Sequence, residues 1–276
     1  MQGCLISLAL ASKGIRVTLI ERRGSLMSRA AVNNEGKIHL GFMYGADPSL
    51  ATARTMICGA LAFAPFLARH VGVDPAQMPS STPTVYVVHR DGLRSLDDLS
   101  GYFGAVHALI LEAAAGRPDA YFGLDLRDPP RRWSAAELKR EYDRRNAVAA
   151  LETPEVSIES AALAEAVRAR IAAEPLIEQR LNRLVTGVEE DGEKLAVASN
   201  GEGGASRDHY EHVVNALWEA RLAIDATLGF RPSRPWMHRF RYGLRARLPS
   251  DMRRPPTTTL VVGAFGEVVN CLDGGL

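Results

Sequence analysis

Gly3 and Glu21 bracket the stretch that most constrains this chain. Gly3 opens an apolar run, Cys4 to Ala11, with the composition of a buried helix. Gly14 closes it, and Ile15 to Ile20 follows as a β-branched strand ending on Glu21. An early helix glycine and a strand-end carboxylate, roughly 20 residues apart, form the second half of a dinucleotide-binding unit. The glycine lets the helix pack closely on the sheet, and the carboxylate accepts hydrogen bonds from ribose hydroxyls. The first strand and first two glycines of such a unit would precede Met1. The spacing therefore predicts a unit lacking its opening strand, and a chain that alone is poorly soluble and binds its dinucleotide weakly. Taken by themselves, these residues also suit an ordinary helix–turn–strand unit of another α/β protein.

The 276 residues suffice for one large or two moderate domains. Hydrophobic content of 46% and charged content of 24% are those of ordinary globular proteins. A net charge of +1 gives no general attraction to nucleic acid, and the Arg131-Arg132, Arg144-Arg145 and Arg253-Arg254 pairs are dispersed. No nucleic-acid partner is expected. The apolar runs read as too short for a transmembrane segment. Cys4, Cys58 and Cys271 lie far apart with no C-x-x-C spacing, which argues against a zinc site or disulfide framework. These features point to the cytoplasm, with no metal.

Asp47-Pro48-Ser49 reads as a helix start, with Leu50 to Val71 as a long helix that Pro65 kinks or splits. Thr84 to His89 reads as a strand closed by Asp91-Gly92, and Leu96 to Ala115 as a helix broken near Gly101 and Gly104. Ser134 and Glu137 have capping-box spacing. Val148 to Leu151 is a short strand, and Ser157 to Ala173 an amphipathic helix. Leu184–Glu189 and Leu195–Ser199 read as strands paired around Asp191-Gly192. Val213 to Ala216, Arg239 to Leu248, Thr257 to Val262 and Val268-Val269 complete the expected strands. This order predicts discontinuous domains: a nucleotide domain from 1–75 and 148–230, and a sheet-rich substrate domain from 76–147 and 231–276. A pattern that stops in mid-sheet suggests loss at the C-terminus too.

The segment Asn33-Asn34-Glu35-Gly36-Lys37-Ile38-His39-Leu40-Gly41-Phe42-Met43-Tyr44, followed by Ser49-Leu50-Ala51-Thr52-Ala53-Arg54, carries a further signal. Together with the Gly3–Glu21 unit it resembles the flavin-dependent oxidoreductases typified by D-amino-acid, glycine and sarcosine oxidases. It is most similar to the L-2-hydroxyglutarate dehydrogenase branch. The resemblance implies an α/β fold, with a Rossmann-like FAD/NAD(P)-binding domain and a second, sheet-rich substrate domain. It implies FAD as cofactor, with Ser28 near the pyrophosphate and Asn33, Asn34 and Gly36 near the flavin. Backbone donors in such a segment stabilise a reduced, anionic flavin. Leu184 to Val188 resembles the strand whose valine, here Val185, brackets adenine. Val213 to Ala216 resembles the later strand ending at the cofactor, which places Asn215 and Ala216 there. The family continues Ala-x-Gly at that point, where this chain has Leu217-Trp218-Glu219.

The implied activity is oxidation of a small carboxylate-bearing amine, amino acid or 2-hydroxy acid by hydride transfer to flavin. Oxygen or a quinone-type carrier would then reoxidise the flavin. His39 sits inside the motif as a structural residue, as an orienting group or base, or as a covalent flavin link. Arg239, Arg241, Arg245 and Arg247 share one strand parity. They read either as a solvated face or as a carboxylate clamp by Arg241 or Arg245 with Tyr242 nearby. The alternatives are a catalytically silent flavoprotein remnant and an NAD-binding relative, since Glu21 suits either ribose.

Overall fold

The structure is a computed structural model, and it describes residues 1–237, 243–263 and 265–272. The helices are α1 (Gln2–Ala11), α2 (Ala51–His70), α3 (Leu96–Ala114), α4 (Ala135–Glu141), α5 (Ser160–Ala172) and α6 (Arg221–Thr227). The strands are β1 (Val17–Ile20), β2 (Val85–His89), β3 (Arg131–Arg132), β4 (Ala147–Glu152), β5 (Ile177–Arg180) and β6 (Arg183–Asp191). They continue with β7 (Lys194–Gly201), β8 (Gly204–Tyr210), β9 (Thr258–Val261) and β10 (Glu267–Val268). The chain is thus mixed α/β, and it divides into two units, each assembled from two segments.

Unit 1 comprises Met1–Asn34 and Ser160–Tyr242. Its parallel pair joins β1 to β5, with Val17 opposite Ile177 and Ile20 opposite Arg180. The apolar α1 buries Cys4, Leu8 and Ala11, and α5 buries Leu163, Val167 and Ile171 at the spacing of one helical face. Burial pushes the Cys4 thiol up. A β6-β7-β8 meander follows, in which Val188 and Val197 pack with Ile224 of α6. The strand β8 was not expected from sequence, because its Ser-Arg-Asp-His run is polar. Conversely, Val213 to Ala216 forms no strand among the described residues. Its Asn215 turns instead towards α6, as described below.

Unit 2 comprises Glu35–Glu159 and Gly243–Leu276. Its five-stranded sheet runs β10-β9-β2-β4-β3. Strands β2 and β9 are parallel, and the other neighbours are antiparallel. Side chains alternate across β2. Val85 and Val87 pack with Leu138 of α4, while Tyr86 meets Phe42 and Phe103 on the opposite face. Ser134 and Glu137 form the expected capping box of α4, and the Ser134 donors with Arg131 pull the Glu137 carboxyl down to about 2.

Several helix expectations are corrected. Helix α2 is not split at Pro65: it runs from Ala51 to His70, with Leu61, Ala64 and Leu67 buried on either side of the proline. The N-cap of α2 is Leu50 rather than the expected Asp47, although the Asp47 carboxylate accepts the Thr52 N–H in the first turn. By length and composition α2 meets the standard of a membrane-crossing helix, which qualifies the expectation that none exists. It packs against α3. Helix α3 is also continuous. A Cβ at Gly101 or Gly104 would meet nothing within 4 Å, and both positions are exposed. Gly101→Ala with Gly104→Ala should therefore stabilise the protein by about 1–2 kcal/mol in all. Thermal unfolding followed by circular dichroism checks this, and a lower Tm would refute it.

The segment boundaries fall elsewhere than the sequence suggests. Residues 35–75 and 148–159, expected with the nucleotide domain, cluster with unit 2. The cause is pairing: β4 is laddered to β2, and α2 lies on α3. The expected strand over Arg239 to Leu248 falls partly on 238–242, outside the described residues, and 243–248 adds no strand to the sheet.

Candidate functional site

In unit 1, Glu21 leaves the C-terminal end of β1. Its N–H donates to the Arg180 carbonyl and its own carbonyl accepts the Arg183 N–H, so β1 and the β5–β6 junction hold it from both sides. One carboxylate oxygen, Oε1, accepts the Arg23 N–H at 2.9 Å. The other, Oε2, takes no protein donor among the described residues. A half-buried carboxylate with a spare acceptor at a parallel strand's end suits a ribose diol. The donor chemistry therefore fits a dinucleotide. Gly3 is packed closely: a Cβ there would lie 3.0 Å from the Ala216 Cβ, so a side chain would push that neighbour back. The structure thus brings Gly3 and Ala216 together.

The remaining candidates of unit 1 have local work. Asn33 Nδ2 donates to the Arg29 carbonyl, and Asn34 Nδ2 to the carbonyls of Ala30 and Ala31. Ser28 is exposed, and Val185 lies at a bulge of β6 opposite Ser199. Asn215 is spent on structure, donating to the Arg221 carbonyl and to Asp225, and accepting the Leu217 N–H. A contact from Asn215 to a cofactor would therefore have to come from its backbone. The departure at Leu217-Trp218-Glu219 also has a physical counterpart. Glu219 pairs with Arg22 and approaches Arg29 at 3.8 Å, and these arginines hold its carboxyl below the usual range.

Gly36 and His39 belong to unit 2. Gly36 has φ +64°, and a Cβ would lie 2.0 Å from the Ile158 carbonyl oxygen. Its own carbonyl accepts the Ile158 N–H at 3.0 Å. The turn therefore needs glycine for the protein's own backbone. Further along, the Ile38 N–H donates to the Val156 carbonyl, and the Tyr121 hydroxyl donates to the Ile38 carbonyl at 2.6 Å. The Tyr102 hydroxyl donates to the Gly41 carbonyl at 2.9 Å. Gly36, Ile38 and Gly41 of the motif are thus pinned by an aromatic hydroxyl or by the backbone of 156–158.

Beneath the motif lies Glu155, fully buried. Oε1 accepts the Leu40 N–H, and Oε2 accepts the Tyr86 hydroxyl. His39 Nδ1 stands 3.7 Å from Oε2, an ion-pair distance beyond that of a hydrogen bond. Burial alone pushes the Glu155 carboxyl up, but His39, the Tyr86 hydroxyl and the Lys37 ammonium outweigh it and bring it below its usual value. Burial, reinforced by Glu155, lifts the Tyr86 hydroxyl well above its ordinary range and keeps it a donor. Lys37 Nζ is buried, 2.6 Å from Thr259 Oγ1 and 2.8 Å from Glu267 Oε2. The arrangement sets the His39 ring edge against a buried carboxylate that is held by two other donors.

Sequence reasoning missed Glu155, Tyr86 and Lys37. A lone acid between Pro154 and the apolar Val156 was the available signal, since a buried carboxylate requires donors. Arg241 and Tyr242, expected to clamp a carboxylate, lie outside the described residues. Arg245 pairs with Glu159 at 3.1 Å.

Comparison with known proteins adds an independent line. Residues 1–266 match the family described as DAO, FAD dependent oxidoreductase. No curated protein sequence matches. Among solved structures, the chain is similar to L-proline dehydrogenase from P. horikoshii, with a TM-score of 0.63 and 15% identity over 99% of this chain and 65% of that one. It is also similar to FAD-bound L-alpha-glycerophosphate oxidase from Mycoplasma pneumoniae, with 0.62 and 17% over 99% and 67%. Glycine oxidase from Geobacillus kaustophilus gives 0.59 and 16% over 94% and 63%. At these identities the likeness is one of fold, and the chain spans about two thirds of the length of each.

Proposed function

The chain belongs to the DAO family of FAD-dependent oxidoreductases, and from that premise we propose that it oxidises a small carboxylate-bearing amine, amino acid or 2-hydroxy acid. The observation that carries this reading is the family match itself, which extends across residues of both units. The named activities of the similar structures, on proline, glycine and glycerophosphate, support a small polar substrate. The electron acceptor in this reading is oxygen or a quinone-type carrier.

FAD is the family's cofactor, and when bound it supplies a two-electron sink that accepts a hydride from carbon. The residues that would hold it are Glu21 at the ribose, Gly3 at the start of α1, and Ser28, Asn33, Asn34, Val185 and the backbone of Asn215 and Ala216. Gly36 and His39 would serve the flavin end. In this chemistry a substrate O–H or N–H must lose its proton as the adjacent C–H bond breaks. His39 would accept that proton, while Arg241 and Tyr242 would hold the carboxylate.

Glu21→Arg tests the nucleotide half of the reading. It removes one or two charge-assisted hydrogen bonds, about 1.5–3 kcal/mol each. FAD affinity should fall by roughly ten- to over a hundredfold, with circular dichroism unchanged. FAD titration followed by flavin absorbance gives the answer, and an unaltered Kd would refute it. Anaerobic mixing of the FAD-loaded protein with amino acids and 2-hydroxy acids then tests the reaction. Bleaching of the flavin band by neither class would overturn it.

A further inference from the structure

We propose that Glu155 is a positioning residue that keeps a proton on His39 Nδ1 and so presents Nε2 as the ring's open acceptor. The proposal rests on the oxidoreductase reading for its purpose, although its geometry is independent of any cofactor. Nδ1 is buried and makes no hydrogen bond, the one such nitrogen on this ring, and the Glu155 carboxylate is the ion-pair partner it faces. The His39 side chain as a whole keeps 17% exposure, so its accessible part lies elsewhere on the ring. The rest of Glu155 is fully employed, by the Leu40 N–H on one oxygen and the Tyr86 hydroxyl on the other. These two bonds fix the carboxylate in place. The Leu40 bond also ties it to the residue next to His39, so that ring and acceptor are set by the same few atoms.

Charge reinforces the arrangement. The Lys37 and Glu267 side chains neutralise each other at 2.8 Å, which leaves Glu155 as the negative charge facing the imidazole. A neutral ring turned to offer Nδ1 as an acceptor would set a lone pair against a buried anion. A ring protonated at Nδ1 sets a positive hydrogen there instead, the lower-energy choice beside a fully buried carboxylate. An imidazole so oriented has Nε2 free to receive a proton, the logic by which a buried carboxylate fixes a base's tautomer.

The test is nitrogen NMR of the full chain carrying ¹⁵N-labelled histidine. A His39→Asn variant identifies the His39 signals among the seven histidines. The wild-type spectrum should show Nδ1 protonated at neutral pH. In Glu155→Gln the charge is gone, and the ratio of Nδ1-protonated to Nε2-protonated ring should fall about tenfold. Tyr86→Phe removes a competing donor and should leave Nδ1 protonated. A wild-type ring with its only proton on Nε2 overturns the proposal, even if Glu155→Gln fails to fold. An unchanged ratio in a folded Glu155→Gln protein overturns it as well. Should the tautomer behave as stated while no substrate reduces the flavin, the oxidoreductase reading fails and the pairing stands.

Discussion

Gly36→Val is expected to destabilise unit 2 by about 3–5 kcal/mol. Two costs combine. An L-residue in the left-handed region costs about 1–2 kcal/mol, more for a β-branched one. The new Cβ would also lie 2.0 Å from the Ile158 carbonyl oxygen, so the backbone must part and lose the bond from the Ile158 N–H. Urea unfolding of the protein without flavin measures the loss. The sequence suggested another reason for this glycine, that a larger residue would block the approach of the flavin. That reason predicts a variant with normal stability and no bound FAD. Normal unfolding of the flavin-free variant would refute the packing account.

Lys37→Met should cost a similar amount, about 3–5 kcal/mol. The ammonium is fully buried, and it is held by Glu267 and Thr259. Removing it deprives a largely buried carboxylate of its cation, and that penalty exceeds the net worth of the pair itself. The double variant Lys37→Met with Glu267→Gln should therefore recover most of the loss. Chemical denaturation of the single and double variants decides the matter. A Lys37→Met protein as stable as wild type would show that the pair contributes nothing.

Local signals survived the passage from sequence to structure, and long-range ones did not. The unit from Gly3 to Glu21 was legible because a helix glycine and a strand-end acid are tied to one another by short spacing. The cap at Ser134 was legible for the same reason. A split at Pro65 and breaks at Gly101 and Gly104 were misjudged because propensity is weak against a buried face running past the offending residue. The break between the units after Asn34 has no sequence signal, because strand partnership, here β4 with β2, leaves no local trace. Within the candidate site, His39 stood out by its motif, whereas Glu155 stood far off in sequence as a single acid. What makes Glu155 important is that it meets Leu40, Tyr86 and His39. Only the folded chain puts those four together.

The pairing of β1 with β5 sets a schedule for the ribosome. Thr18 meets Glu178 across 160 positions of chain. At about 5–20 residues per second, β1 emerges roughly 8–30 s before its partner exists. During that interval α1, apolar on nearly all sides, has no sheet of its own to cover. The residues from Glu35 to Glu159 arrive meanwhile and carry β2, β3 and β4 together, so most of the inserted unit can assemble while its host waits. Even then β2 lacks β9, which is made only after the second segment of unit 1. Nascent chains of this design therefore carry an apolar helix beside a strand that still lacks its β5 partner while residues 21–176 are made.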